Sequence, residues 1–190
     1  MPLTKAKFRQ TCLKKMKSSS KHDRFYRGAI LNEKLYNELK KMKNKKILFF
    51  CPLPFEADIM KTLLKMRKNC DIFVPFMQGK SFKMVPFRLP LKKNKFGILE
   101  AGNTKRNINK IDIAIVPAVG VDGNLQRIGF GKGMYDRFFE KLKKRPYTIF
   151  IQPEFCYTKK IICDDYDVAC DLLLTPKVRK LSMARVNKRT

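Results

Sequence analysis

The run Asp112-Ile-Ala-Ile-Val116 leads through Pro117 into a loop with three alternating glycines, Gly129-Phe-Gly131-Lys-Gly133, and then into a helix-forming stretch, Met134 to Lys143. The run is apolar after its first residue and ends at a proline, which is typical of a strand covered on both faces. A buried strand, a glycine-containing loop and a helix, in that order, build parallel α/β sheets. The stretch therefore predicts an α/β fold with this loop at the carboxyl edge of its sheet.

Working outward from this stretch, apolar runs alternate with helical patterns along the chain, and Phe82–Leu89 with Phe96–Leu99 indicate a short antiparallel insertion. The further predicted strands are Ile47–Cys51, Asp71–Phe76, Tyr147–Gln152 and Leu172–Thr175, and the further helices are Thr4–Lys17, Asp23–Met42 and Glu56–Lys68. We therefore expect residues 1–190 to form a single three-layer α/β domain. Its sheet is mostly parallel with helices on both faces, and two N-terminal helices precede the first strand.

The composition is strongly basic, because 43 Lys and Arg against 16 Asp and Glu give a formal net charge of +27. The cations are scattered through every segment. Two explanations of the charge therefore remain open: solvated lysines on most faces, or a positive electrostatic field that attracts phosphate-rich ligands. The longest apolar stretch, Ile47 to Phe55, contains two prolines and is about half of the roughly 20 residues that a membrane helix needs. Met1 to Met16 does not fit a secretory signal. We expect a cytoplasmic monomer without a membrane partner.

Six cysteines are present, but none lies within three residues of another, and His22 is the sole histidine. This spacing argues against a zinc site of the usual kind. The sequence predicts reduced, partly buried thiols.

The glycine loop has the chemistry of a phosphate site. Glycines let backbone N–H groups approach an anion, the following helix adds the positive end of its dipole, and Lys132 supplies a full charge. The loop matches neither G-x-x-x-x-G-K-[ST] nor G-x-G-x-x-G, because Gly133 follows Lys132 and Met134 replaces the third glycine. Asp136, just after the loop, is suited to hold Mg²⁺ beside a phosphate, or simply to complement the helix dipole.

The stretch Arg127-Ile-Gly-Phe-Gly-Lys-Gly-Met-Tyr-Asp136 resembles the signature of the 5-formyltetrahydrofolate cyclo-ligase (5,10-methenyltetrahydrofolate synthetase) family. The resemblance extends to the basic pair Lys5 and Arg9, to Glu56-Ala-Asp-Ile59, and to Pro146-Tyr-Thr148 followed by Asp167 and Asp171-Leu-Leu-Leu-Thr175. It implies ATP- and Mg²⁺-dependent closure of 5-formyltetrahydrofolate to 5,10-methenyltetrahydrofolate, with release of ADP and phosphate. The formyl oxygen would be phosphorylated first, and a polyglutamylated folate is a further expected partner.

The resemblance also implies a role for each site residue. The catalytic cations would be Lys132 and Arg127, and the magnesium carboxylates would be Asp136 and Asp167. ATP would be bound by Lys5, Arg9, Arg127, Ile128, Gly129, Phe130, Gly131, Lys132, Gly133, Met134 and Tyr135. The folate would be bound by Phe50, Cys51, Glu56, Phe130, Gly131, Lys132, Gly133 and Met134.

The chain departs from the family pattern at several positions. Phe130 and Met134 stand where many members have other residues, which affects contacts to the aminobenzoyl part of folate. Tyr166 stands where histidine is common, which affects the magnesium shell. The alternative function is a basic RNA- or ribosome-associated protein, which accounts for the charge but not for the glycine loop. A third reading is a sugar-phosphate or CoA-handling α/β enzyme.

Overall fold

The computed structural model describes residues 2–94, 97–106 and 108–177, and these contain four helices and ten strands. The helices are α1 (Lys5–His22), α2 (Arg24–Leu39), α3 (Met60–Met66) and α4 (Met134–Glu140). The strands are β1 (Lys46–Leu48), β2 (Asp71–Gln78), β3 (Ser81–Pro86), β4 (Lys92–Lys93), β5 (Leu99–Glu100), β6 (Ile113–Pro117), β7 (Gly120–Val121), β8 (Arg127–Ile128), β9 (Tyr147–Ile151) and β10 (Leu172–Leu174). No helix among these combines the length and apolar character needed to cross a membrane.

The central sheet has six strands in the order β10-β9-β6-β1-β2-β3. All neighbours run parallel except β3, which pairs with β2 as an antiparallel hairpin. The prediction of a mostly parallel α/β sheet is confirmed. In a parallel sheet the carboxyl ends of the strands share one edge and the amino ends share the other, so each edge collects its own loops.

Helices cover both faces of this sheet. One face packs under α2 and α3, where Leu31, Leu35 and Leu63 are fully buried against the strands. The other face packs under α4 through Tyr135 and Phe138. Strand residues therefore alternate between two cores, which explains why the predicted strands read as continuous apolar runs.

Helix α1 lies away from the sheet faces and packs on the small β7–β8 ribbon. Its apolar side, Phe8, Cys12 and Met16, is buried against this region. Cys12 also forms a disulfide with Cys156, 144 residues further along the chain. The prediction that all cysteines are reduced is therefore wrong for this pair, although four other cysteines are free thiols.

One predicted strand boundary differs from the structure for an identifiable reason. Strand β2 continues through Pro75 to Gln78, whereas the sequence predicts an end near the proline. The Phe73 carbonyl points toward β1, and in a strand the backbone groups two residues further on point to the same side. Pro75 therefore lacks its N–H on the side of β1, at a level where β1 has already ended, so no hydrogen bond between the two strands is lost. The insertion prediction that includes Phe96 lies partly outside the described residues.

Candidate active site

A cavity of about 630 Å³ opens at the carboxyl edge of the sheet, next to the ends of β1 and β6. Phe50 and Cys51 follow β1, Pro117 ends β6, and the glycine loop from Phe130 to Gly133 forms one wall. This size is in the range of small-molecule sites, which span about 300–1,000 Å³. The loop after a buried strand thus lies beside a ligand-sized cavity, as the sequence indicates.

The glycines in this loop are required by close approach and by backbone conformation. A Cβ at Gly129 would lie 2.8 Å from the Arg127 Cζ, so a side chain there would displace the guanidinium. Gly133 precedes α4 with φ of 58°, in the left-handed region that other residues adopt at a cost. The loop is therefore held in a conformation that exposes its backbone.

Arg127 is the buried cation of the site, with 6% of its surface exposed. Its Nε donates to the Pro117 carbonyl at 2.9 Å, and its Cζ lies 4.7 Å from the centre of the Tyr135 ring. Burial lowers the pKa of the guanidinium, while electrostatic interactions with Asp136 and Tyr135 raise it. Because arginine stays protonated even so, Arg127 is a fixed positive charge in a site of low polarity.

Glu56 is the buried acid of the same cavity. Its carboxylate accepts the backbone N–H of Leu53 at 2.8 Å. Burial raises the pKa of Glu56 to about 7, although the Leu53 hydrogen bond and the Arg127 charge both lower it. Burial also raises the pKa of the neighbouring Cys51 to about 12, so this residue stays a thiol. Glu56 is thus able to hold or accept a proton near neutral pH.

Lys132 is exposed at the mouth of the cavity. Within the part of the chain that the structure describes, its ammonium makes no hydrogen bond or ion pair. The backbone around it is fixed by Arg137, which donates to the carbonyls of both Lys80 and Lys132. Arg137 therefore ties the glycine loop to the β2–β3 turn and leaves the Lys132 ammonium available for a ligand.

A second group of predicted residues lies behind the glycine loop, outside the cavity lining. Arg9 donates from Nε to the Gly129 carbonyl at 2.9 Å. Lys5 donates to the carboxylates of Asp164, at 3.0 Å, and Asp167. Burial lowers the pKa of Lys5, but the hydrogen bonds to Asp167 and Asp164 outweigh it and raise the pKa overall. Helix α1 thus supplies two cations to the loop and its neighbouring acids.

The two predicted magnesium ligands lie on neighbouring segments. Asp136 Oδ1 accepts the backbone N–H of Val168, the residue after Asp167, at 3.4 Å. Asp167 is 7% exposed and also accepts the Asp164 N–H at 2.7 Å. No group of three or more His, Cys, Asp or Glu residues is poised for a metal within residues 2–94, 97–106 and 108–177. Asp136 and Asp167 therefore stay predicted metal ligands.

The structure divides the predicted site residues into two sets. Those that line the cavity are Phe50, Cys51, Glu56, Arg127, Phe130, Gly131, Lys132, Gly133, Met134 and Tyr135, whereas Lys5, Arg9, Ile128, Gly129, Asp136 and Asp167 lie behind or beside it. Ile128 is fully buried against the α1 region, so its side chain belongs to the core.

Sequence reasoning missed the opposite wall of the cavity. Met77 and Lys80 come from the β2–β3 hairpin, and Glu100 comes from β5. Glu100 accepts the Met77 N–H at 2.9 Å and a hydrogen bond from Asn94 Nδ2 at 3.0 Å, which links β5 to β2 and to the residue after β4. These residues carry no motif, and a hairpin signal at Gly79-Lys80 is the one local clue to their placement.

Fold and cavity together define a class: an α/β protein with a ligand cavity at the carboxyl edge of its sheet, beside a glycine loop that leads into a helix. Comparison with protein families narrows this class. The model of the 5-formyltetrahydrofolate cyclo-ligase family matches residues 3–176, and the chain belongs to this family.

Individual proteins similar to this chain carry the name of the same family. The chain is 24% identical over 179 residues to 5-formyltetrahydrofolate cyclo-ligase of Mus musculus, covering 84% of this chain and 87% of the relative. It is 27% identical over 138 residues to 5-formyltetrahydrofolate cyclo-ligase of Mycoplasma pneumoniae, covering 70% and 82%. The predicted family is confirmed, as is the prediction of an enzyme at the level of that family.

Solved structures show the same fold. The NMR structure of Aquifex aeolicus 5,10-methenyltetrahydrofolate synthetase superposes with a TM-score of 0.76 at 26% identity, covering 93% of this chain and 91% of the other. A 5,10-methenyltetrahydrofolate synthetase from Mycoplasma pneumoniae superposes with a TM-score of 0.68 at 22% identity, covering 92% and 100%. The predicted α/β fold class is therefore confirmed.

Proposed function

We propose that this chain catalyses the ATP-dependent closure of 5-formyltetrahydrofolate to 5,10-methenyltetrahydrofolate, releasing ADP and phosphate. Family membership supports the folate substrate and ATP as co-substrate. The single observation that carries the proposal is the cavity in which a glycine loop, a buried arginine and a buried glutamate face one another. This cavity offers phosphate-binding groups and a mostly apolar pterin-sized space together.

The chemistry explains why ATP is needed. A formamide oxygen is a poor leaving group, so transfer of the terminal phosphoryl group to it forms an oxygen–phosphorus bond and releases ADP. The N10 nitrogen then attacks the formyl carbon, phosphate leaves with the former formyl oxygen, and N10 loses its proton. Such a sequence needs aligned reactants and fixed positive charge more than covalent catalysis.

In this proposal Lys132 and Arg127 supply that charge. The Lys132 ammonium is exposed and available, and the buried Arg127 guanidinium is fixed by Pro117. Fixed cations in a site of low polarity stabilise charge that develops on a transferring phosphoryl group. The backbone from Gly129 to Gly133 would add N–H donors, and Arg9 steadies that backbone.

Glu56 and the walls beside it would hold the folate. Phe50 and Cys51 form an apolar surface next to the Glu56 carboxyl group. With a pKa of about 7, this carboxyl group can pair with pterin donors when ionised and with acceptors when protonated. Phe130, which packs on Phe55 with ring centres 5.4 Å apart, and Met134 would cover the aminobenzoyl part.

We propose that Asp136 and Asp167 hold a divalent cation. The contact between the Lys5 ammonium and the Asp167 carboxylate supports this role, because a carboxylate that pairs with one cation can pair with another. Mg²⁺ prefers one or two carboxylates together with phosphate oxygens, and when bound it would neutralise the ATP phosphates. In that state we expect Lys5 to turn toward the phosphates.

An optical assay tests the proposed reaction. The full chain is mixed with Mg²⁺, ATP and 5-formyltetrahydrofolate labelled with ¹⁸O in the formyl group, and the methenyl absorbance is followed. We expect absorbance to rise only with both substrates, and the label to appear in inorganic phosphate. Absorbance that does not depend on ATP, or label that appears in water, would refute the proposed reaction.

A further inference from the structure

A second cavity, of about 740 Å³, lies at the amino edge of the sheet, opposite the candidate active site. Its walls include Lys46 at the start of β1, Asp71 at the start of β2 and Pro86 at the end of the antiparallel β3. Because the two edges are opposite ends of the same strands, this cavity is separate from the glycine loop and shares no lining residue with the first cavity.

Cations from four different chain connections converge on this cavity. They are Lys46 at the start of β1, Arg67 before β2, Arg88 after β3, and Arg106 and Lys110 before β6. Asp71 is the sole carboxylate among the described lining residues. The nearby Asp112 is engaged by the Lys46 backbone N–H at 2.8 Å. The charge balance of the lining is strongly positive.

These cations are not neutralised by the protein itself. Across residues 2–94, 97–106 and 108–177, none of the five forms an ion pair within 4 Å. Instead, the Arg67 guanidinium lies over the Phe87 ring, 5.4 Å from its centre, a contact that orients the group without neutralising its charge. An arginine guanidinium can donate two parallel hydrogen bonds to two oxygens of one phosphate group.

We propose that the amino-edge cavity binds a compact anion bearing several phosphate groups. The concave shape favours a small ligand over an extended nucleic acid strand, which would need a continuous groove with exposed aromatic platforms. Phe73 and Phe87 are instead 7% and 6% exposed and form the floor of the cavity. The site is independent of the reaction proposed for the carboxyl edge.

Calorimetric titration of the full chain with inorganic tripolyphosphate tests this site. We expect two binding events, because the glycine loop and the amino-edge cavity each take one anion. The double variant Arg88→Glu with Arg106→Glu reverses two exposed charges. It should weaken binding at the amino-edge cavity about tenfold or more and leave binding at the glycine loop unchanged. Lys132→Ala should weaken binding at the glycine loop only.

A matched variant separates a built site from diffuse charge. Lys159→Glu with Lys160→Glu makes the same charge change at exposed positions outside both cavities, and we expect less than about a twofold effect on either event. An equal loss in this variant would overturn the proposal, as would a single event insensitive to Arg88 and Arg106. Tight binding of a twelve-nucleotide RNA to this edge, without tripolyphosphate binding there, would overturn it in favour of nucleic acid.

Discussion

The two cavities at opposite edges of one sheet have similar volumes, about 630 and 740 Å³, and different chemistry. At the carboxyl edge the key ionisable groups, Arg127 and Glu56, are buried and held by backbone groups. At the amino edge the charges are exposed arginines and lysines. Buried charges act strongly on a ligand but must be positioned by the fold, whereas exposed charges attract anions and are weakened by salt. The comparison therefore supports the proposed reaction at one edge and the proposed anion binding at the other.

The largest expected difference between the edges is in turnover. Lys132→Ala at the carboxyl edge removes a charge proposed to contact the transferring phosphoryl group, so kcat should fall roughly 10²–10³-fold. Asp136→Asn should also lose turnover, because it removes a proposed magnesium ligand. Steady-state methenyl formation measures both, and circular dichroism checks that both variants fold.

Two matched variants complete that experiment. Arg88→Ala removes a cation from the amino-edge cavity and Lys61→Ala removes one from the exposed side of α3, and both should keep turnover within about twofold, since exposed charges far from a site act weakly. Near-normal turnover in Lys132→Ala and Asp136→Asn would contradict the proposal that the reaction takes place at the carboxyl edge.

The second difference concerns glycine. Gly129→Ala would force its Cβ into the buried Arg127 guanidinium, so we expect a loss of about 1–3 kcal/mol in the free energy of unfolding together with lower activity. Gly102→Ala is the matched control, because its Cβ would meet nothing within 4 Å. Urea unfolding monitored by circular dichroism measures both. Equal stability of the two variants would show that the glycine loop is not closely packed on Arg127.

The third difference is in how stability depends on pH. Native Glu56 keeps its proton up to about pH 7, whereas the unfolded chain releases it near 4.5. The native state therefore binds more protons between these values, and the stability contributed by this group is lost as pH rises through the window. Glu56→Gln should match the wild type near pH 4 and exceed it at pH 8 by up to roughly 3 kcal/mol.

Asp71, the exposed carboxylate of the amino-edge cavity, is the control for this measurement. Asp71→Asn should change the free energy of unfolding by no more than about 0.5 kcal/mol, as is usual for exposed substitutions. A Glu56→Gln curve parallel to that of Asp71→Asn would contradict the burial of an ionisable Glu56.

The smallest expected effect comes from the amino edge itself. Arg67→Ala removes the cation that lies over Phe87, which should lower the free energy of unfolding by about 0.5–1 kcal/mol without changing kcat. Thermal unfolding at low and high salt measures this. A loss of several kcal/mol would mean that the amino edge also contains a structurally essential charge.

The sequence predicts the sheet and one wall of the site because both have local signals. Apolar runs such as Asp112–Val116 must be strands between two layers, and a glycine loop after one of them must lie at the carboxyl edge. The position of Arg127 beneath Gly129 could not be predicted, because it depends on how β8 folds back toward Pro117. The Cys12–Cys156 disulfide depends on where α1 docks, which its helical pattern does not specify.

The far wall of the cavity has no local signal at all. Met77 and Glu100 meet through a hydrogen bond between segments 23 residues apart, and neither lies in a motif. The convergence of basic connections at the amino edge is likewise visible only once the strand order is known. In the sequence those cations look like scattered surface charge.

The most direct test of the central claim is to locate the bound folate by NMR. The isotope-labelled full chain is titrated with 5-formyltetrahydrofolate in the presence of a non-hydrolysable ATP analogue and Mg²⁺. We predict that the amide signals of Phe50, Cys51 and Gly129–Gly133 shift while those of Arg67–Phe73 stay in place. Shifts confined to the amino edge, with the glycine loop unaffected, would contradict the account.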